Sequence, residues 1–115
     1  MKERRRDRRF RLTEKFKLKA RVKKQDSDTT CYFVVSDLSM GGLSFSAENE
    51  DASLELGDGD VIDILLFRKN LSVRVTAQIL QDPNSDRTRA KIIGINDFGR
   101  EVLSGFLLEM ASNSK

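Results

Sequence analysis

Arginines crowd the start of this chain, and they are its most conspicuous chemical feature. Residues 1–11 hold seven lysines and arginines against two acidic residues, a net charge of +5. The whole chain carries +3, which leaves −2 for residues 12–115. A short basic segment of this kind attracts phosphate groups on a nucleotide, a nucleic acid or a lipid surface, although its composition is equally typical of a solvated terminal tail.

Two spaced patterns could carry a binding function. Arg5 and Arg9 form an RxxxR spacing that ends just before the first predicted strand, and a second pair with the same spacing begins one residue earlier. Further along the chain, residues 37–42 read DLSMGG, a DxSxxG pattern between two predicted strands. Because Asp, Ser and Gly all favour turns, this second pattern alone indicates only a turn.

Catalytic and metal-binding chemistry finds little support in the composition. The chain has no histidine and one cysteine, Cys31, which excludes a Cys–His dyad and the ordinary zinc sites. Seven of the 16 acidic residues in the body of the chain (residues 12–115) fall within residues 48–63, where surface solubility is the simplest role. The Asp58-Gly59-Asp60 segment lacks the remaining ligand spacing of a calcium loop. We therefore expect neither an enzyme nor a metal site.

Strand-like patterns fill the middle of the chain. Apolar and polar residues alternate with a period of two, which indicates strands with one buried and one wet face. Predicted strands cover residues 16–22, 31–35, 43–47, 61–67, 71–80 and 90–95. A loop is predicted at 48–59, a short hairpin turn at 68–70 and a further turn at 83–86.

The C-terminal residues change to a helical period. One apolar face collects Phe98, Val102, Leu103, Phe106, Leu107 and Met110. Asn96 or Asp97 is suited to cap the first turn. Six short strands and a terminal helix predict a closed or nearly closed antiparallel barrel. A membrane-spanning helix needs about 20 apolar residues, and the sequence contains no such run.

RxxxR followed by DxSxxG resembles the cyclic di-GMP signature of the PilZ family. The resemblance extends over nearly the whole chain, because Leu43-Ser44-Phe45-Ser46 follows the second motif and an Ile93-Gly94-Ile95 strand precedes the helix. It implies a six-stranded antiparallel PilZ-like β-barrel with a C-terminal α-helix at residues 12–115. It also implies that residues 1–11 form a flexible arm that folds over ligand seated on the barrel.

The resemblance assigns ligand-binding roles to individual residues. Arg5 and Arg9 are the motif arginines in this interpretation, because Phe10 then supplies the apolar residue that follows the second arginine; the alternative register uses Arg4 and Arg8. The barrel side of the site consists of Asp37, Ser39, Gly41 and Gly42. Arg4 adds a cation, and family members with a basic residue there can hold an intercalated pair of ligand molecules.

The physical needs of cyclic di-GMP agree with these residue types. Arginine binds the guanine O6 and N7 atoms in a bidentate contact and also pairs with phosphates. A carboxylate such as that of Asp37 can accept hydrogen bonds from the N1–H and N2–H₂ edge of guanine. Ser39 offers a small donor and acceptor, and Gly42 allows a close approach of the backbone. No other cofactor is implied.

The predicted function is a cytoplasmic bacterial receptor that binds cyclic di-GMP, moves its arm and signals to an unknown protein partner. One alternative is a PilZ-like interaction module that binds no nucleotide, and the presence of both motifs argues against it. The other is a polybasic-arm binder of nucleic acid or of a membrane surface, against which the acidic remainder of the chain argues.

Overall fold

The computed structural model describes residues 10–11, 17–25, 27–47, 56–81 and 88–113. These residues form seven strands and one helix. The elements are β1 (Phe10–Arg11), β2 (Lys19–Lys24), β3 (Thr30–Leu38), β4 (Gly42–Ala47), β5 (Val61–Arg68), β6 (Leu71–Leu80), β7 (Thr88–Gly94) and α1 (Asp97–Asn113).

Six of the strands close into an antiparallel barrel. Neighbouring strands follow the order β3, β2, β5, β6, β7, β4, and β4 pairs back with β3. The two-residue strand β1 pairs with the last residues of β3, with Phe10 opposite Leu38 and Arg11 opposite Asp37. The prediction of a six-stranded antiparallel barrel with a C-terminal helix is confirmed, and β1 is an addition to it.

The barrel interior collects the alternate apolar residues of its strands. On β2, for example, Ala20 and Val22 are fully buried while Lys19 and Arg21 are exposed. Among the described residues, the buried apolar side chains of the strands and the helix together are Leu18, Ala20, Val22, Phe33, Val35, Leu38, Leu43, Phe45, Ile62, Ile64, Leu66, Val73, Val75, Ala77, Ile79, Ala90, Leu103, Phe106, Leu107 and Met110. The residues between these buried positions face outward, where they can carry polar groups for binding.

The helix begins at a well-formed cap. The Asn96 Oδ1 atom accepts the backbone N–H of Gly99 at 2.7 Å, and the Asn96 carbonyl accepts that of Arg100 at 2.9 Å. This confirms Asn96 as one of the two predicted capping residues. The helix packs against β6, and an ion pair of 3.0 Å joins Arg68 Nη1 to Glu109 Oε2. Among the described residues, no helix combines the length and apolar character required to span a membrane.

Phe98 departs from the predicted apolar face of the helix. It is 71% exposed, whereas Leu103, Phe106 and Met110 are buried as predicted. The reason lies at Gly99, where a Cβ atom would stand 2.9 Å from Val73 Cγ2. The first helical turn therefore approaches the barrel through its glycine, and the phenylalanine beside that glycine points away from the core.

Candidate functional site

The DxSxxG residues form a tight turn between β3 and β4. Ser39 follows β3 directly and is only 3% exposed. Its N–H and its hydroxyl both donate to the carbonyl oxygen of Gly42, at 2.8 and 3.2 Å. The Ser39 Oγ atom also accepts the backbone N–H groups of Gly41 at 3.2 Å and Gly42 at 3.1 Å. The hydroxyl is thus bonded within the turn, and its predicted contact with a ligand stays a prediction.

Gly42 stands where β4 meets β7. A Cβ atom at this position would lie 2.6 Å from the backbone oxygen of Ala90, closer than real Cβ contacts allow. The neighbouring Gly41 carbonyl accepts the N–H of Ile92 at 2.9 Å, which ties the turn to β7. Gly42 is therefore required by barrel closure itself, in addition to the close approach of a ligand that the sequence suggested.

A β-bulge sets the direction of Asp37. The register between β3 and β4 shifts between Val35 and Asp37, so that one extra residue, Ser36, is inserted. Val35 and Leu38 are buried in the core, and both residues between them are only partly buried. The Ser36 hydroxyl donates to the carbonyl of Ser44 at 3.1 Å and holds the bulge. The bulge thereby places Asp37 on the outer face of the barrel, directly opposite Ser44.

The same outer face carries two cations that sequence reasoning missed. Ser44 pairs with Asp37 on one side and with Arg89 on the other, and Gly42 pairs with Lys91. Both β7 cations are exposed, while Ser44 is 3% exposed and small. Since directly paired residues lie about 5 Å apart, the Asp37 and Arg89 Cα atoms are roughly 10 Å apart across Ser44. A carboxylate and a guanidinium thus flank a short side chain.

The period-two spacing of Arg89 and Lys91 was the available signal for these residues. Both flank a buried alanine, which indicates an outward-facing pair on one strand. Their neighbours could not be read from the sequence, because β4 and β7 are far apart in the chain and their pairing depends on how the barrel closes.

A cleft of about 520 Å³ opens beside the turn. Met40, the third residue after Asp37, forms part of its wall, and Arg100 of the first helical turn also lines it. The remaining lining residues come from the end of β7 and the two-residue link to the helix: Ile92, Ile93, Gly94 and Ile95. A cleft that combines aliphatic side chains with one guanidinium is suited to a flat aromatic base that also presents hydrogen-bond acceptors.

The motif arginines Arg4, Arg5 and Arg9 lie outside the described residues. Of the predicted arm at residues 1–11, the structure describes only β1. Because β1 is antiparallel to β3, the preceding chain joins Phe10 at the strand end that leads into the turn. The structure therefore brings together Asp37, Ser39 and the two glycines, and the contribution of the arm stays a prediction.

The chain belongs to the PilZ family. The family model of the PilZ domain matches residues 3–104, which is most of the sequence. The match includes both the RxxxR and the DxSxxG segments. No curated protein matches the sequence.

Solved structures with the same fold include several PilZ domains. The PilZ domain with c-di-GMP of YcgR from Escherichia coli has a TM-score of 0.73 and 18% identity, covering 97% of this chain and 95% of that one. The PilZ domain of CeSA from a cellulose-synthesizing bacterium has a TM-score of 0.66 and 16% identity, covering 90% and 98%. The K. pneumoniae MrkH–c-di-GMP complex has a TM-score of 0.72 and 17% identity, covering 98% of this chain and 55% of MrkH. These similarities establish the fold.

Proposed function

We propose that this protein is a receptor for cyclic di-GMP that catalyses no reaction. The observation that carries the proposal is the outward row of Asp37, Ser44 and Arg89 next to the motif turn, at the end of β3 where Phe10 pairs with Leu38. The family membership and the ligand named for the YcgR and MrkH structures support the same ligand here.

The chemistry of the row suits the two halves of the ligand. Asp37 can accept from the N1–H and N2–H₂ edge of a guanine, which no other common base presents in that form. Arg89 and Lys91 provide barrel-side cations for the phosphates, to which Arg5 and Arg9 add charge from the arm. The adjacent cleft, with its aliphatic side chains and Arg100, is a place for the second guanine.

Signalling would follow from coupling between arm and ligand. The arm has many cations and little apolar surface, so it gains little from folding onto the barrel without an anion. Ordering costs about 1–2 kcal/mol per residue for the backbone, which two ligand phosphates help to offset. The repositioned arm then presents a changed surface to a protein partner, in the cytoplasm of a bacterium.

Calorimetric titration with cyclic di-GMP, GTP and a DNA oligonucleotide tests the proposal. We expect binding of cyclic di-GMP alone in the micromolar range or tighter. Asp37→Ala should weaken binding by about 1–3 kcal/mol, because the guanine edge loses its acceptor. Asp63→Ala is the matched control, since Asp63 is a partly buried aspartate on β5, away from the turn. Folded protein that binds no cyclic di-GMP would refute the proposal.

A further inference from the structure

A second polar row crosses the barrel on another outer face. Tyr32 of β3 pairs with Arg21 of β2, Arg21 pairs with Leu65 of β5, and Leu65 pairs with Arg74 of β6. Tyr32 is 49% exposed, and both arginines are exposed. Tyr32 lies five residues before Asp37 on β3, a distance of about 16 Å along a strand. This row is therefore separate from the motif turn.

The row borders a cleft of about 450 Å³. Arg21 and Arg74 line it from either side of Leu65, with Cα atoms roughly 10 Å apart across the intervening strand. The other lining residues are Lys23, Thr30, Asp63 and Ile64. Within the described part of the chain, neither arginine has a carboxylate within ion-pair distance. Two guanidinium groups thus face one cleft, and no carboxylate among the described residues forms an ion pair with either of them.

Asp63 is the one acidic side chain among the described residues that line the cleft, and it already accepts a hydrogen bond. Its Oδ1 atom accepts from the Gln25 side chain at 3.3 Å, while the nearby Lys23 Nζ donates to a backbone oxygen at 3.2 Å. Because Arg21, Lys23 and Arg74 outnumber this one carboxylate among the described lining residues, the cleft is positive overall, with one negative point at Asp63. The Asp63 carboxylate repels a phosphate backbone, which carries a negative charge on every nucleotide. It is compatible with a peptide whose acidic residues are separated by uncharged ones.

We propose that this cleft docks an acidic segment of a partner protein, with carboxylates on Arg21 and Arg74 and an apolar side chain on Leu65. Tyrosine and arginine are the residues that most often dominate protein interfaces, and Tyr32 extends the row at one end. The Tyr32 ring is braced edge-on by Phe67 with ring centroids 6.3 Å apart. Leu65 between the arginines favours a peptide, which can place an aliphatic side chain there, over a nucleic-acid backbone, whose phosphates are joined by hydrophilic sugars.

A labelled peptide of about ten residues with alternating glutamate and leucine is the direct probe. We expect its fluorescence anisotropy to rise with added protein, and a lysine-for-glutamate version to stay unbound. Arg21→Glu and Arg74→Glu should each raise the peptide Kd about fivefold or more, because attraction becomes repulsion of similar size. Lys69→Glu is the control, since this exposed turn residue lies outside the cleft.

Three results would overturn the docking proposal. One is absence of binding by the acidic peptide, and another is equal binding by the arginine variants and the Lys69→Glu control. The third is preference for a single-stranded oligonucleotide, reduced by the same arginine variants, which would make the cleft a nucleic-acid surface. Arg21→Gln and Arg74→Gln keep the test valid if a charge reversal disturbs folding. Cyclic di-GMP binding, measured in parallel, reports separately on the proposed receptor function.

Discussion

Alanine at position 42 would separate the structural role of this glycine from its proposed contact with ligand. The added Cβ atom would lie 2.6 Å from the Ala90 carbonyl oxygen. Both clashing groups belong to the backbone or are fixed to it, so no side-chain rotation relieves the contact. The β4 and β7 strands must move apart at the position where Gly42 pairs with Lys91.

Overpacking of this kind costs typically about 1–3 kcal/mol. An unfolding entropy of about 2.1 cal/mol/K per residue converts that cost to a fall in Tm of roughly 4–12 °C for a chain of 115 residues. Gly105→Ala is the control, because a Cβ there meets nothing within 4 Å and should stabilise the helix by about 0.8–1 kcal/mol.

Thermal and urea unfolding of the two variants without ligand provide the comparison. The expected signs are opposite, with Gly42→Ala less stable and Gly105→Ala more stable than the parent protein. A Gly42→Ala variant with unchanged unfolding free energy would refute the barrel-closure reasoning. The glycine at position 42 would then be explained by the close approach of a ligand alone.

Three further predictions follow from the site and its surroundings. Ser39→Ala should lower the unfolding free energy by about 1–3 kcal/mol even without ligand, because two backbone N–H groups of the turn lose their acceptor; unchanged urea unfolding would contradict this. Arg89→Ala should weaken cyclic di-GMP binding about 10- to 100-fold in calorimetry, the worth of a charge-assisted hydrogen bond, while Arg74→Ala leaves it unchanged; equal affinities would remove Arg89 from the site. The hydrogen bond from the Gly57 N–H and the nearby Lys24 ammonium lower the pKa of Asp60 below the usual aspartate value of about 3.9. The ionised Asp60 carboxylate therefore stabilises the fold fully above a pH of about 3.9, and this contribution is lost as the pH falls through the lowered pKa. Asp60→Asn should therefore lose less stability than the parent between pH 6 and pH 3, and parallel losses in melting experiments would argue against this linkage.

Local patterns were sufficient to predict most of the barrel. Strict alternation on β2, β5 and β6 fixes which residues face inward, and this period is a property of the extended chain itself. The hairpin between β5 and β6 was equally readable, since its two turn residues, Lys69 and Asn70, interrupt two alternating runs. Lys69 takes a left-handed φ of 57° in that turn.

Features that depend on distant contacts were not predictable in this way. No glycine or proline marks the bulge at Ser36 in the sequence, yet the bulge determines that Asp37 faces outward. The exposure of Phe98 depends on how closely Gly99 of the helix approaches Val73 of β6. Each of these features depends on which elements pack together, and the periodicity of a helix or a strand contains no information about its packing partners.

The residues of the candidate site also separate into those that local sequence predicts and those that depend on strand pairing. The motif spacing identified the turn at residues 37–42, because both its residue types and its position between strands are local properties. The neighbouring cations Arg89 and Lys91 emerged only from the register between β4 and β7. The internal hydrogen bonds of Ser39 likewise required the folded turn.

Titration of ¹⁵N-labelled protein with cyclic di-GMP, followed by amide chemical shifts, tests the central claim most directly. The account predicts shifts concentrated at Asp37, at the turn through Gly42, and at Arg89 and Lys91, together with new or altered signals from residues 2–11. The amide chemical shifts of Arg21 and Arg74, on the other outer face, should not change. Absence of shifts on addition of cyclic di-GMP, or shifts centred on Arg21 and Arg74 instead of the motif turn, would contradict it.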